Sequence, residues 1–308
     1  MSGLKEISKA CNVSIATVSR VLNNDVTLSV SPEVKDAILK EAESLSYKTP
    51  RQRALVQKLL LKYRVGLVLQ GMDVMGSDLK LVSMLDPMAR EYELSLSYFN
   101  QEECYDALLL IGKFSSDEID FYLSYTSKLL FMNEMTNDYE QDSIMVDYAL
   151  SSKLIYDYFV SRGITRISYF GGTYYRNGFV IGKNRIDGFK EKLEESGLYD
   201  PSLIHIGRMT KESGASLMRQ AKEITRGIFF GDRQTMQGAM DVLREMDEHP
   251  VCLLYENFFP VSYGEDARLM IFTSVAWKTA FRMLLERLDG TRTQGIHVFC
   301  PPQLEIRK

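Results

Sequence analysis

The sequence predicts two folds in one chain: an all-α head of three helices over residues 1–47 and an α/β body over residues 63–308. In the head, apolar residues recur at helical spacing between turn and capping signals. In the body, apolar runs of strand length alternate with helical segments, a pattern typical of doubly wound parallel sheets. With 308 residues, 45% of them hydrophobic, the chain is long enough to bury a large core.

The first two predicted helices of the head enclose a short turn. Leu4, Ile7 and Ala10 share one helical face. Asn12 tolerates the left-handed backbone that such a turn needs, and Ser14 is placed to cap the second helix. Along that helix the inward residues are Val18, Val21 and Leu22, and the outward residues are Ile15, Ala16, Thr17, Ser19 and Arg20.

A third helix follows, with Ser31 as its cap and Pro32 at its first helical position. Its apolar residues at helical spacing are Val34, Ile38, Leu39, Ala42 and Leu45. The three helices together predict a helix-turn-helix head.

Charge is distributed unevenly along the chain. Residues 1–64 contain eleven Lys and Arg against six Asp and Glu, a net charge of +5, whereas the whole chain carries −4. The remainder is therefore acidic, at −9. A basic head on an acidic body suits contact with phosphate groups at one end only.

Three motifs of the head are shared with one family. They are Val13-Ser14-Ile15-Ala16-Thr17-Val18-Ser19-Arg20-Val21-Leu22-Asn23, the pair Val30-Ser31, and the closing Leu45-Ser46-Tyr47. At these residues the head resembles the LacI/GalR family of transcriptional repressors, and Ile15-Ala16 is similar to its galactose-type branch. The resemblance implies that operator DNA is contacted by Ser14, Ile15, Ala16, Thr17, Ser19, Arg20 and Asn23.

The basic linker, residues 48–62, resembles the family's hinge helix, which forms on operator DNA and inserts a leucine into the minor groove. Leu55 is the candidate for that wedge, eight residues after Tyr47. Most members place the leucine nine residues after the tyrosine, so Val56 remains an alternative. Leu55 packing only against the body is a third possibility.

Seven strands and seven helices are predicted in the body from apolar runs and from helical spacing. The strands are 64–70, 94–99, 107–111, 129–132, 166–170, 227–230 and 251–254. The helices are 79–92, 116–125, 149–162, 184–196, 212–223, 234–246 and 277–289.

The body also resembles the LacI/GalR family. Asn184-Arg185-Ile186-Asp187-Gly188-Phe189 is similar to its R-x-x-G-F motif, and residues 228–239 and 302–307 match two further motifs. The resemblance implies two Rossmann-like subdomains of periplasmic-binding-protein type, with an effector in the cleft between them. The expected bounds are 63–163 with 275–291 for the N-subdomain, and 164–274 with 292–308 for the C-subdomain.

Six residues are carried over as effector contacts: Gln70, Asn133, Arg185, Met209, Asp232 and Glu256. Arg185 stands at the family's sugar-binding arginine, and such donors and acceptors suit vicinal hydroxyls. Two positions depart from the family, because Gly231 replaces an asparagine and Met209 replaces a common aromatic. Each polar residue can alternatively be a solvated loop-end group or part of a salt bridge.

Only seven residues, 100–106, separate the strand predicted at 94–99 from the strand at 107–111. If these strands flank the first strand, the link spans roughly 20 Å, which seven extended residues reach but a helix does not. One face of that sheet should then lack its usual helical cover. Tyr98, Phe99 and Tyr105 are candidates to close it, and a partner protein is the alternative.

Catalytic and metal-binding motifs are absent from the sequence. Its four cysteines form no CxxC pair, so neither zinc nor a disulfide framework is expected. GxGxxG, GxxxxGK[ST] and G-x-S-x-G do not occur, and the three histidines lack a catalytic partner pattern. Residues 170–173 hint at a phosphate loop but are predicted to form a pocket rim. No enzymatic activity and no cofactor is expected.

The N-terminus has no apolar signal segment and no apolar run is long enough to span a bilayer, so a cytoplasmic protein is expected. No heptad tail precedes Lys308, which favours a homodimer over a tetramer. We therefore predict a sequence-specific DNA-binding repressor of a sugar-utilisation operon, switched by a sugar or sugar derivative. The alternative is a solute-binding module whose head mediates protein contacts.

Overall fold

The computed structural model describes residues 3–23, 25, 27–45, 47–49, 61–70, 79–132, 140–257 and 264–307. The chain divides into two compact units, Met1–Lys62 and Tyr63–Lys308. The candidate wedge residues Leu55 and Val56 and the candidate contact Asn133 lie outside the described residues. No helix in the described ranges is long and apolar enough to cross a membrane.

The head contains three helices: α1 (Gly3–Ala10), α2 (Ile15–Leu22) and α3 (Pro32–Ser44). Asn12 has the predicted positive φ, 53°. Ser14 caps α2 by accepting a hydrogen bond from the amide of Thr17, and Ser31 caps α3. The buried core of the head consists of Ile7, Val18, Val21, Leu22, Ile38 and Ala42.

Two residues predicted to lie on the apolar face of α3 do not. Leu39 and Leu45 are each 42% exposed, because α1 and α2 cover only the face that carries Ile38 and Ala42. Helical spacing alone made the buried stripe too wide.

Over the residues that the structure describes, the body forms two six-stranded sheets. The first has the strand order β13-β5-β4-β3-β1-β2, and all its strands are parallel. Its strands are β1 (Tyr63–Leu69), β2 (Leu94–Tyr98), β3 (Ala107–Ile111), β4 (Leu129–Met132), β5 (Asp142–Val146) and β13 (His297–Cys300). Its helices are α4 (Leu79–Ala89), α5 (Ser116–Leu123) and α10 (Ser274–Leu288).

The second sheet has the order β14-β12-β11-β10-β6-β9, and β14 alone is antiparallel to its neighbour. Its strands are β6 (Ile167–Gly172), β9 (Ile204–Gly207), β10 (Gly227–Phe230), β11 (Val251–Glu256), β12 (Ala267–Met270) and β14 (Gln303–Ile306). A hairpin of β7 (Tyr174–Arg176) and β8 (Phe179–Ile181) follows β6. The helices are α6 (Tyr148–Val160), α7 (Lys183–Glu195), α8 (Lys211–Gln220) and α9 (Arg233–Glu245). The predicted fold class, two doubly wound subdomains, is confirmed.

The subdomain bounds differ from the prediction at two places. Strand β13 pairs with β5 in the first sheet, so residues 292–308 do not belong as a whole to the C-subdomain. Helix α6 packs on the second sheet, where a Cβ on Gly227 would lie 2.8 Å from the Cδ1 of Phe159. Apolar periodicity marks an element but does not say which of two similar sheets it joins.

The short link between β2 and β3 has no helix, as its length predicts. Both strands pair with β1 in parallel, so they flank it. Tyr105 covers the face left open: its ring lies over Gly66, and its Oη donates to the carbonyl oxygen of Tyr98 at 3.1 Å. Phe99 packs against Tyr105 with the ring centroids 5.6 Å apart.

The prediction for Tyr98 is wrong. Its Oη accepts a hydrogen bond from the amide of Val82 in α4, at 3.3 Å, and its ring packs with the cluster on the opposite face of the sheet. Consecutive residues of an extended strand point to opposite faces, so Tyr98 and Phe99 are unable to cover the same one.

Because Tyr105 takes the place of a helix, Tyr105→Ala should lower the free energy of unfolding by about 3–5 kcal/mol, as for other buried aromatic truncations. Urea unfolding followed by circular dichroism measures this difference. Tyr175→Ala is the control, because Tyr175 is 74% exposed and should change stability by less than about 0.5 kcal/mol. Equal losses in the two variants would show that Tyr105 does not cover the sheet.

Candidate DNA-binding head and binding cleft

Helix α2 and its caps present the predicted DNA-binding residues on one outward face. Ser14, Ile15, Ala16, Arg20 and Asn23 are exposed, and Thr17 and Ser19 are half-buried. The inward face is closed by Val18, Val21 and Leu22, as predicted. An exposed helix face carrying small, polar and basic side chains has the composition needed to enter a major groove.

Some of these polar groups already have partners within the head. The side chain of Asn23 donates to the carbonyl of Ser19 at 2.8 Å. Arg20 donates through Nε to Asp25 at 2.7 Å and through Nη2 to Thr27 at 2.8 Å. The hydrogen bond from Arg20 lowers the pKa of Asp25 to about 2. Asp25 thus orients Arg20 while leaving part of the guanidinium exposed.

A cleft of about 850 Å³ lies between the two sheets of the body. Its walls come from the carboxyl ends of strands in both sheets, where open α/β sheets place ligands. Gln70, Arg185, Met209, Asp232 and Glu256 all line it. The structure therefore brings together every predicted effector contact that it describes.

Arg185 is held deep in the cleft by aromatic rings. Its Cζ lies 4.7 Å from the ring centroid of Tyr255, a cation–π contact. Its Nε and Nη2 are buried and make no well-formed hydrogen bond to a described residue. Burial opposes the charge, but the neighbouring oxygens of Tyr169, Tyr255 and Asp232 raise the pKa of Arg185 overall, so it stays protonated.

Asp232 has a positioning role in addition to lining the cleft. It caps α9 by accepting from the amide of Thr235 at 2.8 Å, and its other oxygen accepts from the amide of Gly172 at 2.8 Å. It thereby joins the ends of β10 and β6. Because Asp232 occupies the amide of Gly172, residues 170–173 do not form a phosphate loop, and Thr173 lines the cleft as rim.

Glu256 is paired with Arg233, which the sequence analysis did not single out. The pair is bidentate, with Nη2–Oε1 at 2.6 Å and Nε–Oε2 at 3.1 Å. Glu256 is 3% exposed, so this pairing neutralises a buried charge. Glu256 is thus a member of a salt bridge, the alternative left open by the sequence.

Three further basic residues line the cleft and were also missed: Lys113, Arg176 and Arg208. Lys113 follows β3 and Arg208 follows β9, and side chains at strand ends are the expected cleft residues. That rule finds Lys113 from the predicted strand 107–111. Arg208 was missed because β9 was not predicted. Arg176 was missed because the Asn177-Gly178 pair, which is typical of a two-residue hairpin turn, was not used to predict the β7–β8 hairpin.

The β7–β8 hairpin reaches from the second subdomain to the first. Asn177 donates to Glu118 Oε1 at 2.9 Å, and Gln70 donates to the same oxygen. Although burial opposes the charge, hydrogen bonds from Ser115, Gln70 and Asn177 lower the pKa of Glu118. The ionised carboxylate of Glu118, which accepts hydrogen bonds from both subdomains, therefore connects them at the cleft.

The departure at Gly231 has a steric cause. A Cβ on Gly231 would overlap the Oη of Tyr169, and a Cβ on Gly171 would overlap the same atom. The buried Tyr169 ring therefore occupies the space that an asparagine side chain would need.

We expect Gly231→Ala to lower the free energy of unfolding by about 1–3 kcal/mol, because the added methyl meets the Tyr169 hydroxyl in a packed core. Thermal and urea unfolding measure the loss. Adding Tyr169→Phe to this variant removes the nearest atom and should recover part of the stability. If the double variant is no more stable than Gly231→Ala alone, the steric account is wrong.

An exposed helix-turn-helix head and a two-sheet body with a ligand-sized cleft define the class of DNA-binding transcriptional regulators. Residues 3–50 match the family of bacterial regulatory proteins, lacI family. The head of the chain is therefore a lacI-family helix-turn-helix domain.

Relatives span the body as well. The HTH-type transcriptional regulator GalR of Lacticaseibacillus casei is 28% identical over 261 residues, which cover 80% of this chain and 78% of the relative. The HTH-type transcriptional repressor MelR of Bacillus subtilis is 25% identical over 335 residues, covering 100% and 97%. A structure of a CelR–cellobiose complex has a TM-score of 0.63 at 18% identity, covering 99% of this chain and 98% of that one.

Proposed function

We propose that this protein is a homodimeric repressor that binds a pseudo-palindromic operator through its head and releases or tightens that grip when a sugar-like effector enters the cleft. The observation that carries the proposal is the pairing, in one chain, of a lacI-family head with a cleft lined by residues from two subdomains. A two-fold dimer matches the half-sites that such heads read. Access to operator DNA places its action in the cytoplasm.

The comparisons support both halves of the proposal. The relative MelR is named a repressor, and the structural neighbour CelR is complexed with cellobiose. The 850 Å³ cleft falls in the size range of small-molecule sites. The similarity to GalR supports an effector of the galactose-type branch.

The cleft geometry provides a physical route from effector to DNA. A ligand changes DNA affinity only if it binds two arrangements of the subdomains with different affinity. Gln70 and Lys113 come from the first sheet, whereas Arg185 and Asp232 come from the second, so one ligand can contact both. The hydrogen bond from Asn177 to Glu118 joins the two subdomains, so it belongs to the arrangement in which the hairpin lies against the first subdomain.

The head is tested first. We expect Arg20→Ala to weaken operator binding by about 1–3 kcal/mol if Arg20 reads a base, measured by mobility shift on genomic operator fragments. Asp25→Asn is the matched variant, because it releases Arg20 from its ion pair but keeps the guanidinium. A smaller loss in Asp25→Asn supports direct contact, and unchanged binding in Arg20→Ala would count against the DNA-binding assignment.

The coupling between cleft and head is tested second. Thermodynamic linkage makes the coupling reciprocal. If the effector changes the affinity of the protein for operator by some factor, operator changes the affinity of the protein for the effector by the same factor. We expect Arg185→Ala to bind operator but to lose the response to sugars such as galactose or cellobiose, whereas Arg226→Ala, an exposed control outside the cleft, should respond normally. Effector titrations with and without operator that give identical affinities would favour the solute-binding module.

A further inference from the structure

We propose that the effector is an anion: a sugar that carries a phosphate or carboxylate group, bound with that group at Arg185 and the start of helix α7. This inference rests on the proposed function, since it names the ligand class of the same cleft. Charge balance, unsatisfied buried donors and an uncapped helix N-terminus support it independently.

The cleft is basic, although the body around it is acidic. Among the described residues, its charged lining consists of Lys113, Arg176, Arg185, Arg208 and Arg233 against Asp232 and Glu256, a net charge of +3. Counting Glu118, which binds the hairpin beside the cleft, leaves +2. Residues beyond 64 carry −9 in total, so the described lining of the cleft has the opposite sign to the body as a whole. Such a field attracts anionic ligands.

Most of this positive charge is not neutralised internally. Arg233 is paired with Glu256, and Asp232 is engaged by Thr235 and Gly172. By contrast, no carboxylate of the described chain lies within 4 Å of the cationic groups of Lys113, Arg176, Arg185 or Arg208. Lys113 instead lies 5.4 Å from the ring centroid of Phe179. The cations outnumber the carboxylates in this part of the cleft and repel one another, so an anion would stabilise the arrangement.

Arg185 supplies the most specific contact. Its buried Nε and Nη2 make no well-formed hydrogen bond to a described residue, although the Tyr169 hydroxyl lies nearby, and a buried charged donor without a good acceptor is energetically unfavourable. A phosphate or carboxylate can accept two parallel hydrogen bonds from a guanidinium. The unsatisfied pair of donors therefore fits an oxyanion.

Helix α7 begins beside the same guanidinium. Its N-cap is Gly182, which offers no side chain to the first-turn amides, and its first turn contains no acidic residue. By contrast, α6 and α9 are capped by Asp147 and Asp232. A Cβ on Gly182 would lie 3.2 Å from Arg185 Nη2, so the helix terminus and the guanidinium share one site. Helix N-termini bind anions through free amides and the helix dipole.

A neutral sugar accounts for less of this geometry. Its hydroxyls can accept from Arg185, but they leave the cluster of cations without counter-charge. An anionic group satisfies both the donors and the charge. The remaining polar groups of the cleft, such as Gln70 and Asn184, then suit the sugar hydroxyls.

The test is isothermal titration of the full-length protein with galactose 6-phosphate, galacturonate, galactose and inorganic phosphate. We expect at least one anionic sugar to bind about tenfold or more tightly than galactose, because charged hydrogen bonds exceed neutral ones. Its affinity should fall between about 0.05 and 0.3 M salt, as screening predicts. The Arg176→Gln/Arg208→Gln variant should weaken it severalfold, whereas Lys222→Gln/Arg226→Gln, exposed and outside the cleft, should not.

Inorganic phosphate tests the anion site separately from the choice of sugar. It should raise the melting temperature of the wild type in a salt-dependent manner, and Arg185→Ala should abolish the rise. Galactose binding as tightly as the anionic sugars, or phosphate stabilising Arg185→Ala equally, would overturn the anion proposal. Galactose that still shifts operator affinity would leave the proposed function intact, whereas absence of operator binding in every condition would defeat that function separately.

Discussion

The packing at the carboxyl end of strand β10 is the constraint on which the cleft depends. Asp232 lies two residues after the strand, caps α9 and accepts a hydrogen bond from the amide of Gly172 at the end of β6. Tyr169 fills the space beside Gly231 and lies next to the buried guanidinium of Arg185. Because these contacts join two strands and one helix, they set the position of the cleft wall. A change in any of them moves the ligand-facing groups of the second subdomain.

The charged residues of the cleft differ in whether they have a partner of opposite charge. The buried Arg233–Glu256 pair is neutral and supports the wall of the cleft, since a lone buried charge would be strongly destabilising. Arg185 sits among aromatic rings that hold it without neutralising it. The head and the described lining of the cleft thus each carry a net positive charge, although the body as a whole is acidic. One suits DNA phosphates and the other suits a small anion.

Connection between the subdomains depends on elements that cross from one to the other. After β5 the chain passes to α6 on the second sheet, and after β12 it returns to α10 on the first sheet. Near its end it passes from β13 in the first sheet to β14 in the second. The β7–β8 hairpin adds a polar bridge to Glu118. These chain crossings, the hairpin bridge and any ligand in the cleft therefore limit how far one subdomain can rotate against the other. A ligand that contacts both walls of the cleft can therefore shift the balance between two arrangements of the subdomains.

The sequence by itself determined the three-helix head, its caps at Ser14 and Ser31, and the alternation of strands and helices, because these depend on local periodicity and local hydrogen bonds. Through a family resemblance it also predicted Arg185, Met209, Asp232, Glu256 and Gln70 as effector contacts, and all five line the cleft. Only the tertiary structure decided which sheet α6 and β13 join and that Glu256 forms a salt bridge with Arg233. It also decided that three further basic residues line the same cleft: Lys113, Arg176 and Arg208. Those outcomes depend on contacts between residues far apart in the chain, and local patterns carry no information about which distant partner a strand or a charge will meet.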